Sequence, residues 1–136
     1  MVGQYSKNAF RNKDGKAVSN CSWEPLKQIK IPEKADFLDY SDIAFLPNTN
    51  QLSVISQEDS SLFIADFDKE TLEFTDTGKV YNFPRNDRCE VQYCNVEGIV
   101  WLDEFRFVAV SDKAKDEEPF FCLDGDQTVV VFALPP

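Results

Sequence analysis

Acidic side chains stand at the ends of two similar segments of this sequence. The first segment, 42–56, reads DIAFLPNTNQLSVIS, and the second, 97–111, reads EGIVWLDEFRFVAVS. Each segment begins with an acid and is rich in apolar residues on both sides of a polar turn. Carboxylate and amide oxygens are the ligands that Ca²⁺ and Mg²⁺ prefer in proteins. The residues that we expect to bind such a cation are Asp42, Asn95, Glu97 and Asp112.

The same side chains have a purely structural interpretation. Asp and Asn side chains accept hydrogen bonds from nearby loop amides, which would fix the ends of each hairpin without any metal ion. The sequence leaves both interpretations open, and Ca²⁺ is the one cofactor that it suggests.

The chain contains no histidine. This removes the commonest general base, the Ser-His and Cys-His nucleophile pairs and every metal site that uses imidazole. We therefore predict no catalytic residue and expect a protein that is not an enzyme.

Four cysteines allow three pairings. Cys89 and Cys94 are separated by four residues, which is not the spacing of a zinc knuckle. A disulfide joining Cys122 to either Cys94 or Cys89 would anchor a long loop, and it would leave Cys21 without an obvious mate. Such a bridge requires an oxidising compartment, whereas free thiols would suit a reducing one.

Composition indicates a folded, acidic domain. Of 136 residues, 43% are hydrophobic and 12 are Phe, and the net charge is −10. That charge repels phosphate backbones, so we expect no nucleic-acid partner. No apolar run reaches the length of a membrane span, and the N-terminus lacks a secretory signal. We expect a soluble protein, which would be lumenal or extracellular if its cysteines are paired.

Alternating and apolar runs predict a chain that is nearly all β. The second segment repeats the first at an offset of 97 − 42 = 55, and Thr128–Leu134 resembles Ser61–Phe67 at 128 − 61 = 67. Residues 1–25 are polar and predict an N-terminal extension. Strands are expected at Leu26–Ile31, Asp42–Leu46, Leu52–Ser56, Ser61–Phe67, Lys79–Phe83, Glu97–Leu102, Arg106–Ser111 and Thr128–Leu134. Thr128–Leu134 could be the third strand of its unit, which we favour, or a fourth strand that follows Phe120–Leu123.

A repeated unit of four strands over about fifty residues is the pattern of a β-propeller blade. Glu97-Gly98-Ile99 and Val110-Ser111-Asp112 resemble the recurring blade motifs of the NHL, SdiA-regulated and phytase-like propeller group. In the first unit Ile43 and Gln57 replace Gly98 and Asp112, so the match is looser there. The resemblance implies antiparallel four-stranded sheets over residues 26–136, as a partial propeller of about two blades and one leading strand.

In such a propeller the acids of both hairpins would share one rim of the ring, together with Asn95 and the acids of the loop 112–126. Because propellers typically close with four to eight blades, two blades cannot close alone. We therefore expect a scaffold or interaction module, either a subunit or a fragment, whose exposed blade faces are covered by other protein chains, the same or different. The alternative is part of a phytase- or lactonase-like hydrolase with calcium at the rim.

Overall fold

The computed structural model describes residues 25–136, apart from the side chains of residues 123–125, and its regular structure is antiparallel β. Residues 1–24, which include Cys21 and all of the predicted N-terminal extension but Pro25, lie outside the described residues. Two short 3₁₀ helices span Glu33–Ala35 and Phe120–Gly125. The strands are β1 (Asp42–Phe45), β2 (Gln51–Ser56), β3 (Ser61–Asp68), β4 (Glu73–Phe74), β5 (Lys79–Asn82), β6 (Val96–Trp101), β7 (Arg106–Ser111) and β8 (Val129–Ala133).

The first sheet is a meander of β1, β2, β3 and β5, with the two-residue β4 pairing at the far end of β3. Its turns suit their sequences. Asn48 adopts a positive φ of 56° between β1 and β2, a conformation that Asn tolerates better than most residues. Gly78 has a φ of 72° immediately before β5, and a Cβ there would lie 2.3 Å from the ring of Phe63. Glycine is therefore required where the chain turns into β5.

The second sheet contains β6, β7 and β8, again as a meander. Asp42 pairs with Ile55 in the first hairpin, and in the second Gly98 pairs with Val110, the residue 55 positions after Ile55. The register shifts between Val96 and Gly98, which makes Glu97 the extra residue of a β-bulge. The sequences of the two hairpins align without a gap, but the first strands differ in register by one residue.

The two sheets pack face to face around one apolar core. β2 and β3 contribute buried residues to one side of it, and β6, β7 and β8 contribute them to the other. The buried members are Leu46, Ile55, Leu62, Ile64, Phe83, Val96, Trp101, Phe107, Ala109 and Phe132. Trp101 Nε1 donates a hydrogen bond of 2.9 Å to Ser53 Oγ across this interface. Four of these ten residues are aromatic, and the rings of Phe83, Trp101, Phe107 and Phe132 contact one another where the sheets meet.

The opposite face of the first sheet is covered by the chain that precedes it. Ile31, Ala35 and Phe37 pack there against Val54 and Phe63. The prediction of a leading strand at Leu26–Ile31 was wrong, because this segment has no strand pairing. Its alternation has another cause. Ile29 and Ile31 are half-buried against the sheet face, while the residues between and before them are exposed.

The all-β class and the antiparallel pairing are confirmed. β8 pairs with β7 as the third strand of its sheet, and Phe120–Gly125 is a 3₁₀ helix rather than a strand. Among the described residues the second sheet ends there, without a counterpart of β5. In the part of the chain that the structure describes, no helix has the length and apolar character to cross a membrane.

Candidate functional site

A polar cluster lies where β2 ends and β6 begins. Its centre is Asn95, which is only 2% exposed. Asn95 Nδ2 donates to Glu118 Oε2 at 2.7 Å, so the loop after β7 is tied to the residue before β6. The Asn95 carbonyl accepts a hydrogen bond of 2.9 Å from the Asp112 amide. Asn95 therefore connects both ends of the second hairpin with the inserted loop.

Gln57 joins this cluster from the first sheet. Its Nε2 lies 2.9 Å from Asn95 Oδ1. If the amide is turned over, its nitrogen instead lies 3.1 Å from Glu97 Oε1 and its oxygen 3.3 Å from Lys115 Nζ. The turned orientation would also place the Gln57 oxygen 2.9 Å from Asn95 Oδ1, which is a contact between two acceptors, so we keep the orientation in which Gln57 Nε2 donates to Asn95. In both orientations Gln57 connects the two sheets at this polar end.

Asp42 is occupied by backbone amides. Its Oδ1 accepts from the Ile43 amide at 2.8 Å, and its Oδ2 accepts from the Ile99 amide of β6, also at 2.8 Å. The second bond joins the edge strands of the two sheets. These contacts agree with the structural interpretation of Asp42, in which the carboxylate fixes strand ends.

The remaining predicted ligands are more exposed. Glu97 is exposed at the bulge, and the Asp112 side chain is exposed at the end of β7. The structure thus gathers Asn95, Glu97 and Gln57 at one end of the sheets, with the Asp42 carboxylate directed to β6. The calcium site at Asp42, Asn95, Glu97 and Asp112 stays a prediction.

A disulfide joins Cys94 to Cys122, with a Cα–Cα distance of 5.4 Å. Of the two predicted pairings, the structure contains this one, and Cys89 is an exposed free thiol. Within the described residues, one group of three thiol or acidic side chains has its ligand atoms within 4.8 Å of one another, namely Cys94, Cys122 and Glu118. The two cysteines of this group form the disulfide and have no free thiol to bind a metal ion, so we interpret the group as a covalent attachment of the inserted loop.

Sequence reasoning missed a second polar cluster beside the β2–β3 turn. Asp39 accepts hydrogen bonds from Ser56 Oγ, from Ser41 Oγ and from the Glu58 amide. Burial alone would raise the pKa of the Asp39 carboxyl, but these hydrogen bonds outweigh it and lower that pKa below its ordinary value. Asp39 and Ser56 are 17 residues apart, and no local pattern in the sequence predicts their contact.

The second sheet presents an apolar face to solvent. On the side that points away from the first sheet, four valine side chains are between 48% and 67% exposed. They are Val100, Val110, Val129 and Val131. Val108 lies among them, opposite both Val100 and Val131. Strand alternation places no charged residue of β6 or β8 on this face between positions 98 and 133, and on β7 the exposed Arg106 borders it opposite Ala133. The valines therefore form a continuous apolar surface with one cation at its edge.

The apolar groove on the first sheet is different, because the chain itself lines part of it. A cavity of about 690 Å³ lies between Ile29 and Ile31 on one side and residues of β1, β2 and β3 on the other. Ile43 and Phe45 are partly exposed in it. Residues 29–37 cover part of this face, whereas no described segment of the chain covers the valine face.

Comparisons with known proteins return no relative. No family model, no curated protein and no solved structure matches this chain. The resemblance to propeller blades therefore stays a prediction, and the geometry of the chain itself carries the functional proposal.

Proposed function

We propose that this chain is a non-catalytic interaction module, a partial β-propeller whose valine face packs on a β-sheet of another protein chain. The exposed valine face, made by Val100, Val108, Val110, Val129 and Val131, is the single observation that carries this proposal. Soluble proteins rarely expose a contiguous apolar surface of this kind unless it binds something.

The packing of the first sheet supports a β-sheet as the partner of the valine face. Ile55, Leu62 and Ile64 occupy the positions in the first sheet that Val110, Val129 and Val131 occupy in the second. The first three are buried because the second sheet covers them. A further sheet with an apolar face is the surface that would cover the valines in the same manner.

Charge favours a different chain over a second copy. Each copy carries a net charge of −10, so two copies repel each other, whereas a neutral or basic partner does not. The disulfide supports an oxidising compartment, lumenal or extracellular, because structural disulfides persist there.

The test begins with a photo-crosslinking amino acid at Val110 of the full chain, and with the same amino acid at the exposed Leu38 as the control. A partner joined only through position 110 is then purified, and its affinity is measured directly. We expect the Val100→Lys, Val110→Lys double variant to bind it at least about tenfold more weakly, because two ammonium groups would have to be buried.

The Leu26→Lys, Leu38→Lys double variant is the matched control, since it adds two charges at exposed positions that are not on the valine face. Thermal unfolding of each variant shows whether the fold is retained. Equal affinity of the wild type and the double-lysine variant for every crosslinked partner would contradict the proposal.

A further inference from the structure

The outer edge of β8 carries backbone groups that no strand of the described chain uses. β8 pairs with β7 on one side only. The Ser111 amide donates to the Thr128 carbonyl, and the Leu134 amide donates to the Phe105 carbonyl. In an antiparallel pair, hydrogen-bonded and non-hydrogen-bonded positions alternate. Val130 and Phe132 therefore bond to β7, while the N–H and C=O groups of Val129, Val131 and Ala133 point to the free edge.

The first sheet shows a strand at the equivalent edge. Leu62 and Ile64 of β3 correspond to Val129 and Val131 of β8, since each lies opposite the matching residue of the central strand. In the first sheet, β5 pairs with this edge, with Tyr81 opposite Leu62 and Lys79 opposite Ile64. The Phe83 amide donates to the Ser60 carbonyl, which places both pairs at hydrogen-bonded positions.

A side-chain pocket accompanies the free edge. A cavity of about 300 Å³ borders the end of β8 and lies between the two sheets. Its lining is largely apolar and includes Leu62, Tyr81, Phe83, Phe107, Phe132 and Leu134. An inward-pointing side chain of an added strand would reach this region. Backbone pairing together with a pocket for alternate side chains is how extended peptides bind sheet edges.

We propose that the free edge of β8 accepts an antiparallel strand from another polypeptide, which completes the second sheet as β5 completes the first. The occupant is an extended segment with an apolar residue on its inward side and neutral or basic flanks, because the chain is strongly acidic. This inference rests on the proposed interaction function and specifies how the partner is held.

The probe is a capped hexapeptide with the sequence of residues 78–83, GKVYNF, because this segment is seen to pair at the equivalent edge. It is added to the full, isotope-labelled chain, and amide hydrogen exchange is followed by NMR. We expect exchange at Val129 and Val131 to slow at least about tenfold at saturating peptide, because their amides become hydrogen-bonded. Val130 and Phe132 should change little, because they are already bonded to β7.

Two methylated peptides provide the matched control. N-methylation at the peptide position of Tyr81 removes a donor directed to the edge, and should weaken binding at least about tenfold. N-methylation at the position of Val80 removes an amide directed away from β8 and should leave binding nearly unchanged. Equal loss with both peptides, or no slowing at Val129 and Val131, would overturn the strand-addition proposal.

The experiment also detects a second copy of the chain bound at the edge of β8. If amides 129 and 131 are already protected without peptide, and sedimentation gives twice the mass of 15.6 kDa, the edge pairs with a second copy and the proposal is wrong. The lysine substitutions at Val100 and Val110 separate the two proposals. If the lysine substitutions weaken partner binding but the peptide does not protect amides 129 and 131, only the strand-addition proposal is wrong. If the peptide protects these amides but the lysine substitutions leave partner binding unchanged, only the proposed valine interface is wrong.

Discussion

Asp39 shows how one side chain can fix a turn that the local sequence does not specify. Its carboxylate collects hydrogen bonds from two serine hydroxyls and one backbone amide. The pKa of this carboxyl is lowered in the folded chain, so the ionised form is favoured by folding. A carboxyl of this kind adds stability above its unfolded pKa, and that stability is lost as the pH falls through its folded pKa.

We therefore expect Asp39→Asn to reduce the acid sensitivity of folding. Denaturant unfolding at a series of pH values from about 5 down to about 2 should show a smaller loss of stability in the variant than in the wild type. Asp36→Asn, at an exposed position three residues away, serves as the control. Parallel curves for the wild type and Asp39→Asn would contradict this role for the carboxylate.

At the scale of elements, the disulfide controls the longest excursion of the second sheet. Cys94 and Cys122 are 28 residues apart, and the bridge ties the segment before β6 to the 3₁₀ helix at Phe120–Gly125. Closing a loop of this length is expected to stabilise the fold by about 3–4 kcal/mol, chiefly by restricting the unfolded chain.

The Cys94→Ser, Cys122→Ser double variant should lose about 3–4 kcal/mol of unfolding free energy in denaturant titrations. The wild type should lose a similar amount when it is reduced. Cys89→Ser should behave like the wild type in both conditions, because Cys89 is a free exposed thiol. Unchanged stability on reduction of the wild type would show that the loop is held by its noncovalent contacts alone.

The sequence predicted elements best where apolar residues alternate or run together between polar turns. The bounds of β7 were predicted as they are, and the similarity of Thr128–Leu134 to Ser61–Phe67 corresponds to equivalent positions in the two sheets. The segment 26–31 was wrongly predicted as a strand, because an extended segment that lies on a sheet face also alternates apolar and polar residues. The bulge at Glu97 was not predicted, because a bulge changes pairing without changing the aligned sequence.

At the candidate site, the sequence placed Asn95 and Glu97 at one end of the sheets and offered Cys94–Cys122 as one of two bridges. It did not predict the bond of Asp42 to β6 or the contacts of Asp39. Both depend on which strands and loops become neighbours, and that information lies in tertiary packing rather than in residue spacing.

Across the whole molecule, Ser53 and Trp101 connect the two sheets. Ser53 Oγ accepts from Trp101 Nε1 at 2.9 Å and donates to the Ala44 carbonyl at 2.7 Å. Ser53 is fully buried, and Trp101 nearly so. Loss of the hydroxyl would leave the indole N–H buried without an acceptor, which is costlier than the hydrogen bond itself.

We expect Ser53→Ala to lower the free energy of unfolding by about 1–3 kcal/mol. The same substitution in a Trp101→Phe background should cost less, because no indole donor is then left unpaired, and a double-mutant cycle by denaturant unfolding measures the difference. Equal costs in the two backgrounds would mean that this hydrogen bond does not couple the sheets.

The cover that Ile31, Ala35 and Phe37 place on the first sheet would give the proposed assembly a direction. A molecule with two bare ends could add copies indefinitely and grow into a filament. In the part of the chain that the structure describes, residues 29–37 cover much of one end and the valine face is uncovered at the other. If the valine face binds a partner as proposed, stacking through the sheet faces would therefore stop after a single addition.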